Sequence, residues 1–357
     1  MVMKQTLLYS TILLLFFSSC KDKQQLKIET IKPVDTVTLS GLPFESITTI
    51  FPAKENDSIL ISSTKRGDTL FVLKLNNNKS YEIINKIATN FNVKAQVFSS
   101  NGNIFYFRSD RQILTFDTSN HKTEIYPITE EMPMLKNKFL LAGNWGDPVC
   151  FFSDTIVSTF YYDGIASYYN YILDSCFVMY HLDGNNINQI KAFGTKPQSI
   201  KDKYFPLLKY CIEDKKLYTI FPSIDSLYIY DLNTSKHITK HINNNYYKVP
   251  QAYEIEKMMD QEYQTKYNLE NFYYDGIYFN KKTQHFILLY YAPYLSNELI
   301  YPAKMYALIL DKDFNKKNYY DLGNIYSMPI FSNNGLGIVV YNPNEHERNI
   351  KVHIYNF

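Results

Sequence analysis

Residues 226–236, Ser-Leu-Tyr-Ile-Tyr-Asp-Leu-Asn-Thr-Ser-Lys, decide the fold. A run of apolar and β-branched or aromatic residues ends at a polar turn, and a second strand-like run follows, which is typical of a β-hairpin. The same pattern recurs along most of the chain. The other copies occupy residues 69–79, 112–122, 176–186, 305–316 and 351–356.

The spacing of these copies indicates the architecture. Equivalent positions are Lys74, Asp117, His181, Asp231, Asp311 and Asn356, which are separated by 43, 64, 50, 80 and 45 residues. Intervals of 43 to 50 residues match one four-stranded propeller blade, and the two longer intervals leave room for insertions. Residues 150–160 also align without a gap on residues 211–221, and each stretch supplies two preceding strands. The sequence therefore predicts an all-β, six-bladed propeller of four-stranded antiparallel blades.

The last repeat contains only three strand-like segments before residue 357. Residues 35–40, Asp-Thr-Val-Thr-Leu-Ser, alternate with the period of a strand and can fill the fourth place. This pairing would close the ring and remove two open sheet edges. A pair of β-sandwiches and a seven-bladed ring remain alternatives, because weak repeats can be miscounted by one.

One segment favours a helix. In residues 253–267, the side chains of Ile255, Met258, Met259 and Tyr263 recur at helical spacing. We expect a single helical insertion whose apolar residues pack it against the body of the protein.

Composition narrows the possible functions. The 37 basic and 35 acidic residues give a net charge of +2, so nucleic acid is not expected as a partner. No P-loop, dinucleotide fingerprint, Gly-x-Ser-x-Gly elbow or metal-ligand motif is present, and we expect neither a cofactor nor a metal. The 33 tyrosines and 24 phenylalanines are an unusually large aromatic content.

The N-terminal segment predicts export and a lipid anchor. Lys4 precedes an apolar run over residues 7–17, which has the order of a secretory signal and is too short to span a membrane. Ser18-Ser19-Cys20 resembles the lipobox of bacterial lipoproteins, which implies acylation, for example with palmitate, at Cys20. We therefore divide the chain into a signal peptide at 1–19, a lipidated tether at 20–32 and a propeller at 33–357.

With these features together, the chain resembles the TolB-like six-bladed propeller lipoproteins of Bacteroidetes. The sequence after Cys20, Lys-Asp-Lys, is similar to the export signal of their surface lipoproteins, except that Lys23 replaces an acidic residue. The resemblance implies an outer-membrane lipoprotein that faces either the periplasm or the cell surface. It implies no role for any residue beyond Cys20.

The insertions indicate where a ligand would bind. Antiparallel strand order places the short turns on one face of a propeller and nearly all the long insertions on the other. Long loops grouped on a rigid face are common binding sites, and tyrosine suits contact with sugar rings or extended peptides. We therefore predict binding of a glycan, a peptide or an envelope protein. The candidate contacts are Trp145, Tyr161, Tyr162, Asp163, Tyr168, Tyr169, Tyr291, Tyr294 and Tyr301.

Two alternatives stay open. The tyrosine rings can instead pack the inserted loops against one another. The protein can also be a glycan-active hydrolase or lyase with a pair of carboxylates at the channel mouth, for which Glu254, Asp260, Glu262 and Glu298 are the candidates.

Lipidation gives a direct prediction. We expect the Cys20→Ala variant to lose its association with membranes, because the acyl chains would be the attachment of the mature protein. The measurement is the distribution of the protein between membrane and soluble fractions, with and without globomycin. Unchanged membrane association of the variant, or no unprocessed precursor under globomycin, would contradict the prediction.

Overall fold

The computed structural model describes the folded body of the protein in segments. They are residues 28–39, 47–53, 56–64, 69–88, 97–101, 104–109, 112–117, 119–120, 122–130, 139–140, 150–152, 155–159, 161–162, 175–183, 186–195, 197, 208–234, 236–254, 257, 260–293, 304–315, 317–324, 329–332, 335–340 and 350–357.

The strands follow one another as antiparallel meanders of four strands. Two N-terminal strands, β1 (Ile28–Thr30) and β2 (Asp35–Leu39), come first. Meander 1 contains β3 (Ile47–Ala53), β4 (Asn56–Thr64), β5 (Thr69–Leu75) and β6 (Ser80–Ala88). Meander 2 contains β7 (Val97–Asn101), β8 (Ile104–Ser109), β9 (Gln112–Asp117) and β10 (Lys122–Glu130).

Two short strands accompany the third meander. They are β11 (Phe139–Leu140), which precedes it, and β14 (Tyr161–Tyr162), which lies within it. Meander 3 itself contains β12 (Cys150–Phe152), β13 (Thr155–Thr159), β15 (Ser175–Asp183) and β16 (Asn186–Thr195). Meander 4 contains β17 (Lys209–Glu213), β18 (Lys216–Ile220), β19 (Ser226–Asp231) and β20 (His237–His241).

The last two meanders follow a helix, α1 (Gln261–Glu270). Meander 5 contains β21 (Tyr273–Asn280), β22 (His285–Tyr291), β23 (Lys304–Leu310) and β24 (Lys317–Asn324). Meander 6 contains β25 (Pro329–Ser332), β26 (Gly335–Val340) and β27 (Ile350–Tyr355). The strands predicted from the hairpin repeats agree with β5, β9, β15, β19, β23 and β27 to within about one residue at most ends.

The sheets are apolar on both faces, as strand β22 shows. Its residues from Phe286 to Tyr291 are all buried. Alternate side chains point to opposite faces of a strand, and here they enter two different cores. The residues of one face are Phe286, Leu288 and Tyr290, and those of the other are Ile287, Leu289 and Tyr291. A sheet with two apolar faces must be covered on both sides.

Within the described residues, each of the four hydrophobic cores accordingly lies between two successive meanders. Val157 and Phe177 of meander 3 pack with Leu217 and Tyr230 of meander 4. The other three cores join meander 4 to meander 5, meander 5 to meander 6, and meander 6 to meander 1. Burial of apolar surface therefore holds neighbouring sheets together face to face, at about 25 cal/mol per Å².

The first strands of the meanders lie side by side. Strand β3 contacts β7, β7 contacts β12, β12 contacts β17, and β17 contacts β21. Strand β25 of the last meander contacts β3 of the first. Sheets packed face to face, with their first strands around a common centre, are the arrangement of a β-propeller. The prediction of an all-β propeller is confirmed.

The N-terminal strand β2 completes meander 6, as its sequence predicts. It pairs antiparallel with β27, from Asp35 opposite Ile354 to Leu39 opposite Ile350. On its other edge it pairs parallel with β6 of meander 1. Lys79 reinforces this junction, since its ammonium lies 2.7 Å from the Asp35 carboxylate.

Strand β1 extends the folded body beyond the predicted boundary at residue 33. It pairs parallel with β24, and Ile28 lies opposite Tyr319. The amide of Ile31 then donates to the carbonyl of Asp321 over 3.2 Å. Residues 28–31, which the sequence placed in the tether, therefore belong to the packed structure.

Polar side chains fix the short turns. Asp231 accepts hydrogen bonds from the amides of Asn233 and Thr234 at 3.0 and 2.8 Å. Asn76 and Asp311 play the same part after β5 and β23. Asx turns of this kind explain why Asn and Asp mark the hairpins in the sequence.

The strand bounds also separate short connections from long ones. Connections between the first and second strands, and between the third and fourth, are short turns. The long connections join second to third strands or successive meanders, so the antiparallel order places them on the opposite side. We call this the long-loop side. Its longest segments are 131–149, 160–174, 196–208, 242–272, 292–303 and 341–349.

The helix was predicted in the correct insertion but too early. It begins after Asp260, whose carboxylate accepts from the amides of Glu262 and Tyr263 at 2.9 and 3.1 Å. The N-cap Asp260 determines where the helix begins, because it satisfies free amides of the first turn. The apolar periodicity of the preceding residues does not. The helix ends at Glu270, where the Asn271 side chain donates to the carbonyl of Tyr267.

The role of β2 gives a test of stability. Leu39 is fully buried between meanders 6 and 1, so Leu39→Ala should lower the free energy of unfolding by about 2–5 kcal/mol. Urea unfolding followed by tyrosine fluorescence measures the change. Thr36→Ala, at an exposed position of the same strand, is the control and should stay within about 0.5 kcal/mol. Equal effects of the two substitutions would show that β2 does not close this core.

Candidate functional site

Two of the insertions meet on the long-loop side. Strands β11 and β14 form an antiparallel ribbon in which Phe139 lies opposite Tyr162 and Leu140 opposite Tyr161. Strand β11 belongs to the crossover that carries Trp145, and β14 begins the loop that carries Asp163. The ribbon therefore brings together the backbones of two segments that the sequence predicted as parts of one binding face.

Most of the predicted contact residues lie outside the described residues. These are Trp145, Asp163, Tyr168, Tyr169, Tyr294 and Tyr301, and the same holds for Cys20. Tyr161 and Tyr162 are placed by their backbone in β14. Their role in binding stays a prediction.

Tyr291 is described completely and has a packing role. It is the last residue of β22 and is 8% exposed. Its ring centroid lies 4.9 Å from that of Tyr273 on the neighbouring strand. In this position the ring supports the start of the loop 292–303 and offers little surface to a ligand.

Tyrosines also pack together in the crossover between meanders 4 and 5. The ring of Tyr253 is 5% exposed and stands edge-on to Tyr263 and Tyr267 of α1, at 5.2 and 4.8 Å. The hydroxyl of Tyr267 donates to the carbonyl of Gln251 over 2.6 Å. In this insertion the aromatic residues hold the loop to its own helix, which is the packing alternative considered above.

A polar network fixes the beginning of the same crossover to the two meanders. Asp225 lies in the connection between β18 and β19, and its carboxylate accepts from the hydroxyl of Tyr274 at 2.6 Å and from the amide of Asn244 at 2.8 Å. The side chain of Asn244 donates in turn to the hydroxyl of Tyr274 over 3.2 Å. The network therefore makes this part of the long-loop side rigid.

Stacked aromatic rings surround the network. Tyr247 lies parallel to Tyr274 at 4.4 Å, and its hydroxyl donates to the carbonyl of Pro222 over 2.5 Å. Tyr290 stacks on Tyr306 at 5.4 Å on the other side. These rings belong to the core between meanders 4 and 5, so the network is shielded from water on that side.

The shielding affects the pKa of Asp225. Burial raises the pKa of its carboxyl above the ordinary 3.8, although the hydrogen bonds from Tyr274 and Asn244 and the nearby Lys317 act in the opposite direction. Burial likewise lowers the pKa of Lys317, which donates to the carbonyl of Asn243 over 2.9 Å. The charged state of Asp225 is therefore less stable in the folded protein than in water.

A second carboxylate, Asp275, lies on one of the first strands that contact one another at the centre of the propeller. It is on β21, the first strand of meander 5, and is partly exposed. The pairing with β22 shifts between Tyr274 and Gly276, so Asp275 is the extra residue of a β-bulge. Burial raises its pKa, whereas the charge of Lys209 on the adjacent first strand β17 lowers it. Bulges often redirect a side chain near a functional site.

The motif that contains Asp275 occurs twice in the sequence, and most of its first copy, with Asp163, lies outside the described residues. Tyr-Tyr-Asp-Gly-Ile occurs at 161–165 and at 273–277, and an Asp-Gly pair is by itself typical of a turn. In β21 the pair lies within a strand, where a Cβ on Gly276 would collide with the ring of Tyr278. Glycine is needed here for close packing. The repetition of the motif was the signal that could have identified Asp275.

Two of the four carboxylates proposed for the enzymatic alternative have other partners. Glu254 lies 2.7 Å from the ammonium of Lys257, and Asp260 caps α1. Glu298 lies outside the described residues. Within the described ranges, no group of three His, Cys, Asp or Glu residues is placed to hold a metal ion.

Two solved structures share this fold, and a third is reported with them. A member of the DUF4221 family from Bacteroides vulgatus is similar with a TM-score of 0.66 and 13% identity, over 93% of this chain and 99% of that one. The structure of U3-55K is similar with a TM-score of 0.52 and 9% identity, over 91% and 100% of the two chains. The β-propeller domain of Cps50 (Swd1) from Myceliophteria thermophila has a TM-score of 0.47 and 8% identity, over 90% and 100%.

The first two likenesses concern the fold alone. No protein-family model matches the sequence, and no curated protein is similar to it.

The raised pKa of Asp225 predicts a pH dependence of stability. A carboxyl whose folded pKa exceeds its unfolded value contributes stability below pH 3.8, and this contribution is lost as the pH rises through the folded pKa. The free energy of unfolding of the wild type, relative to Asp225→Asn, should therefore fall between pH 3 and pH 7. Urea unfolding at a series of pH values measures it.

Asp231 is the matched control. Hydrogen bonds from the turn, first that of the Thr234 amide, lower the pKa of its carboxyl. The wild type relative to Asp231→Asn should gain stability over the same pH range, since the stabilising charge is lost only as the pH falls. If the stability difference between wild type and variant changed with pH in the same direction for Asp225→Asn and Asp231→Asn, the opposite pKa shifts assigned to the two carboxyls would be wrong.

Proposed function

We propose that this protein is a lipid-anchored, six-bladed β-propeller of the cell envelope that binds a glycan, a peptide or a partner protein through its long-loop side. The meeting of two insertions in the β11–β14 ribbon carries this proposal. Paired insertions form one continuous surface, whereas separate loops would present several small ones. A surface of this kind suits an extended ligand.

The meanders support the number of blades in the proposal. The described strands form six sets of four when β2 is counted with β25, β26 and β27. The core between β2, β27 and meander 1 supports closure, because it joins the last set to the first. A closed ring leaves no sheet face without a neighbour.

Rigidity supports a binding role. The Asp225 network and the tyrosine packing around α1 hold the crossover 242–272 in one arrangement. A ligand that binds to a preformed surface loses less conformational entropy than one that must order the loops first. Propellers commonly serve as scaffolds for such surfaces.

Asp275 provides a polar contact at the channel. The first strands start on the long-loop side, and Asp275 is the third residue of β21. A ligand at the channel mouth would therefore meet a carboxylate that can accept hydrogen bonds from hydroxyl or amino groups. The tyrosines and Trp145 of the insertions would supply stacking surfaces around it.

The envelope location rests on the lipobox at residues 18–20. No helix in the described ranges is long and apolar enough to cross a membrane. We propose that Cys20 carries the anchor and that the body faces either the periplasm or the cell surface.

Substitutions on the two sides of the ring test the binding side. The soluble mature chain with Cys20→Ala is screened on a glycan array and a peptide library, and hits are titrated. Trp145→Ala, Tyr162→Ala and Asp275→Asn should each weaken binding about tenfold or more, equivalent to about 1.4 kcal/mol.

Matched controls lie in the short turns on the other side. Asn78→Ala and Lys282→Ala alter exposed residues and should change the affinity less than about twofold. If these controls weaken binding as much as the substitutions on the long-loop side, the proposed binding side is wrong.

A further inference from the structure

We infer that the lipid anchor holds the propeller by the rim of meander 5, so that this rim lies at the bilayer and the β11–β14 ribbon lies on the far side of the ring. The inference rests on the proposed lipidation of Cys20 and on the six-bladed ring. The rim is defined here by β1 and β24, and the partner is a phospholipid surface.

The first step is where the chain emerges from the folded body. Strand β1 adds to the outer edge of meander 5, with Ile28, Glu29 and Thr30 opposite Tyr319, Tyr320 and Asp321. Ile28 packs against the core between meanders 4 and 5, and Ile31 against the core between meanders 5 and 6. Backbone pairing and apolar contacts together fix the start of the described chain at the rim.

The second step is the length of the tether. Only residues 21–27 separate Cys20 from Ile28. Fully extended, these eight steps span at most about 29 Å. The root-mean-square length expected of any flexible chain of eight steps is about 16 Å. The anchor therefore keeps Ile28 near the bilayer surface.

The third step compares this length with the size of the ring. The first and fourth strands of a meander are separated by three spacings of about 4.8 Å, or about 14 Å. Opposite rims are then at least about 29 Å apart, and the central channel adds to this distance. Because the tether is shorter than the ring is wide, the rim of meander 5 is favoured over the other rims as the part of the ring that faces the bilayer.

The charge near the attachment point suits a phospholipid surface. The tether contains Lys21, Lys23 and Lys27 against a single acid, Asp22. Lys32 is exposed immediately after β1. Each lysine close to an anionic surface contributes about 1 kcal/mol of attraction. The tether that limits the distance between Ile28 and the bilayer thus also favours contact of this rim with the lipid surface.

The consequence concerns the binding side. In a ring of six, meander 2 lies opposite meander 5, and meander 3 lies opposite meander 6. The ribbon joins the crossover between meanders 2 and 3 to a loop of meander 3. It is therefore held away from the lipid, where an extended ligand or another envelope protein can reach it.

Fluorescence quenching on vesicles tests this orientation. The lipidated full chain is reconstituted in vesicles of phosphatidylethanolamine and phosphatidylglycerol that contain a lipid with a nitroxide headgroup. A genetically encoded fluorescent amino acid replaces Lys32 at the rim of meander 5 or Thr123 on β10, which is also exposed and lies on the opposite rim. Quenching at position 32 should exceed that at position 123 by about threefold or more.

The possible failures are distinguishable. If the labelled chain does not float with the vesicles, the lipid anchor is wrong and the orientation falls with it. If it floats but both positions are quenched equally, or position 123 more strongly, the orientation alone is overturned.

A longer tether supplies a further control. Twenty Gly and Ser residues inserted after Gln25 raise the root-mean-square length to about 29 Å, comparable to the ring itself. The difference in quenching between positions 32 and 123 should then fall at least about twofold. An unchanged difference would overturn the role of the tether in orienting the ring.

Discussion

The structure depends on sheets that are apolar on both faces. Strand β22 shows the constraint most clearly, since its successive residues enter two different cores, one shared with meander 4 and the other with meander 6. A sheet of this kind is stable only between two neighbours, because an uncovered face would expose large apolar side chains to water. Adding meanders in a row would always leave two faces open. Joining the last meander to the first removes both, and the core around Leu39 and Val352 is the place where this junction forms.

The N-terminal segment connects three meanders in twelve residues. Strand β1 pairs with meander 5, β2 completes meander 6, and the far edge of β2 meets meander 1. The same residues that stabilise the junction also determine where the chain leaves the body. Stability of the ring and the proposed orientation at a membrane therefore have a common structural cause, and both depend on a segment that is distant in sequence from the strands it contacts.

In the described part of the long-loop side, most polar and aromatic groups hold the insertions in place, and one carboxylate remains partly exposed. Asp225, Asn244 and Tyr274 form a shielded network that fixes a crossover, and the tyrosines near α1 pack on one another. Asp275 differs because it is the extra residue of the bulge in β21 and is partly exposed. A rigid surface and a partly exposed carboxylate are complementary features for binding. Rigidity lowers the entropic cost of binding, and a carboxylate accepts directional hydrogen bonds.

The sequence by itself determined the hairpins, their turns and the completion of meander 6 by β2, because strand alternation and Asx turns are local properties. It also placed a helix in the correct insertion, although local periodicity could not show that Asp260 would begin it. Only the tertiary structure decided that Tyr291 is buried, that Asp275 occupies a bulge, that residues 28–30 pair with β24, and that two insertions form a ribbon. These features arise from contacts between segments far apart in the chain, and a tyrosine or an Asp-Gly pair has the same local pattern whether such contacts bury it or leave it exposed.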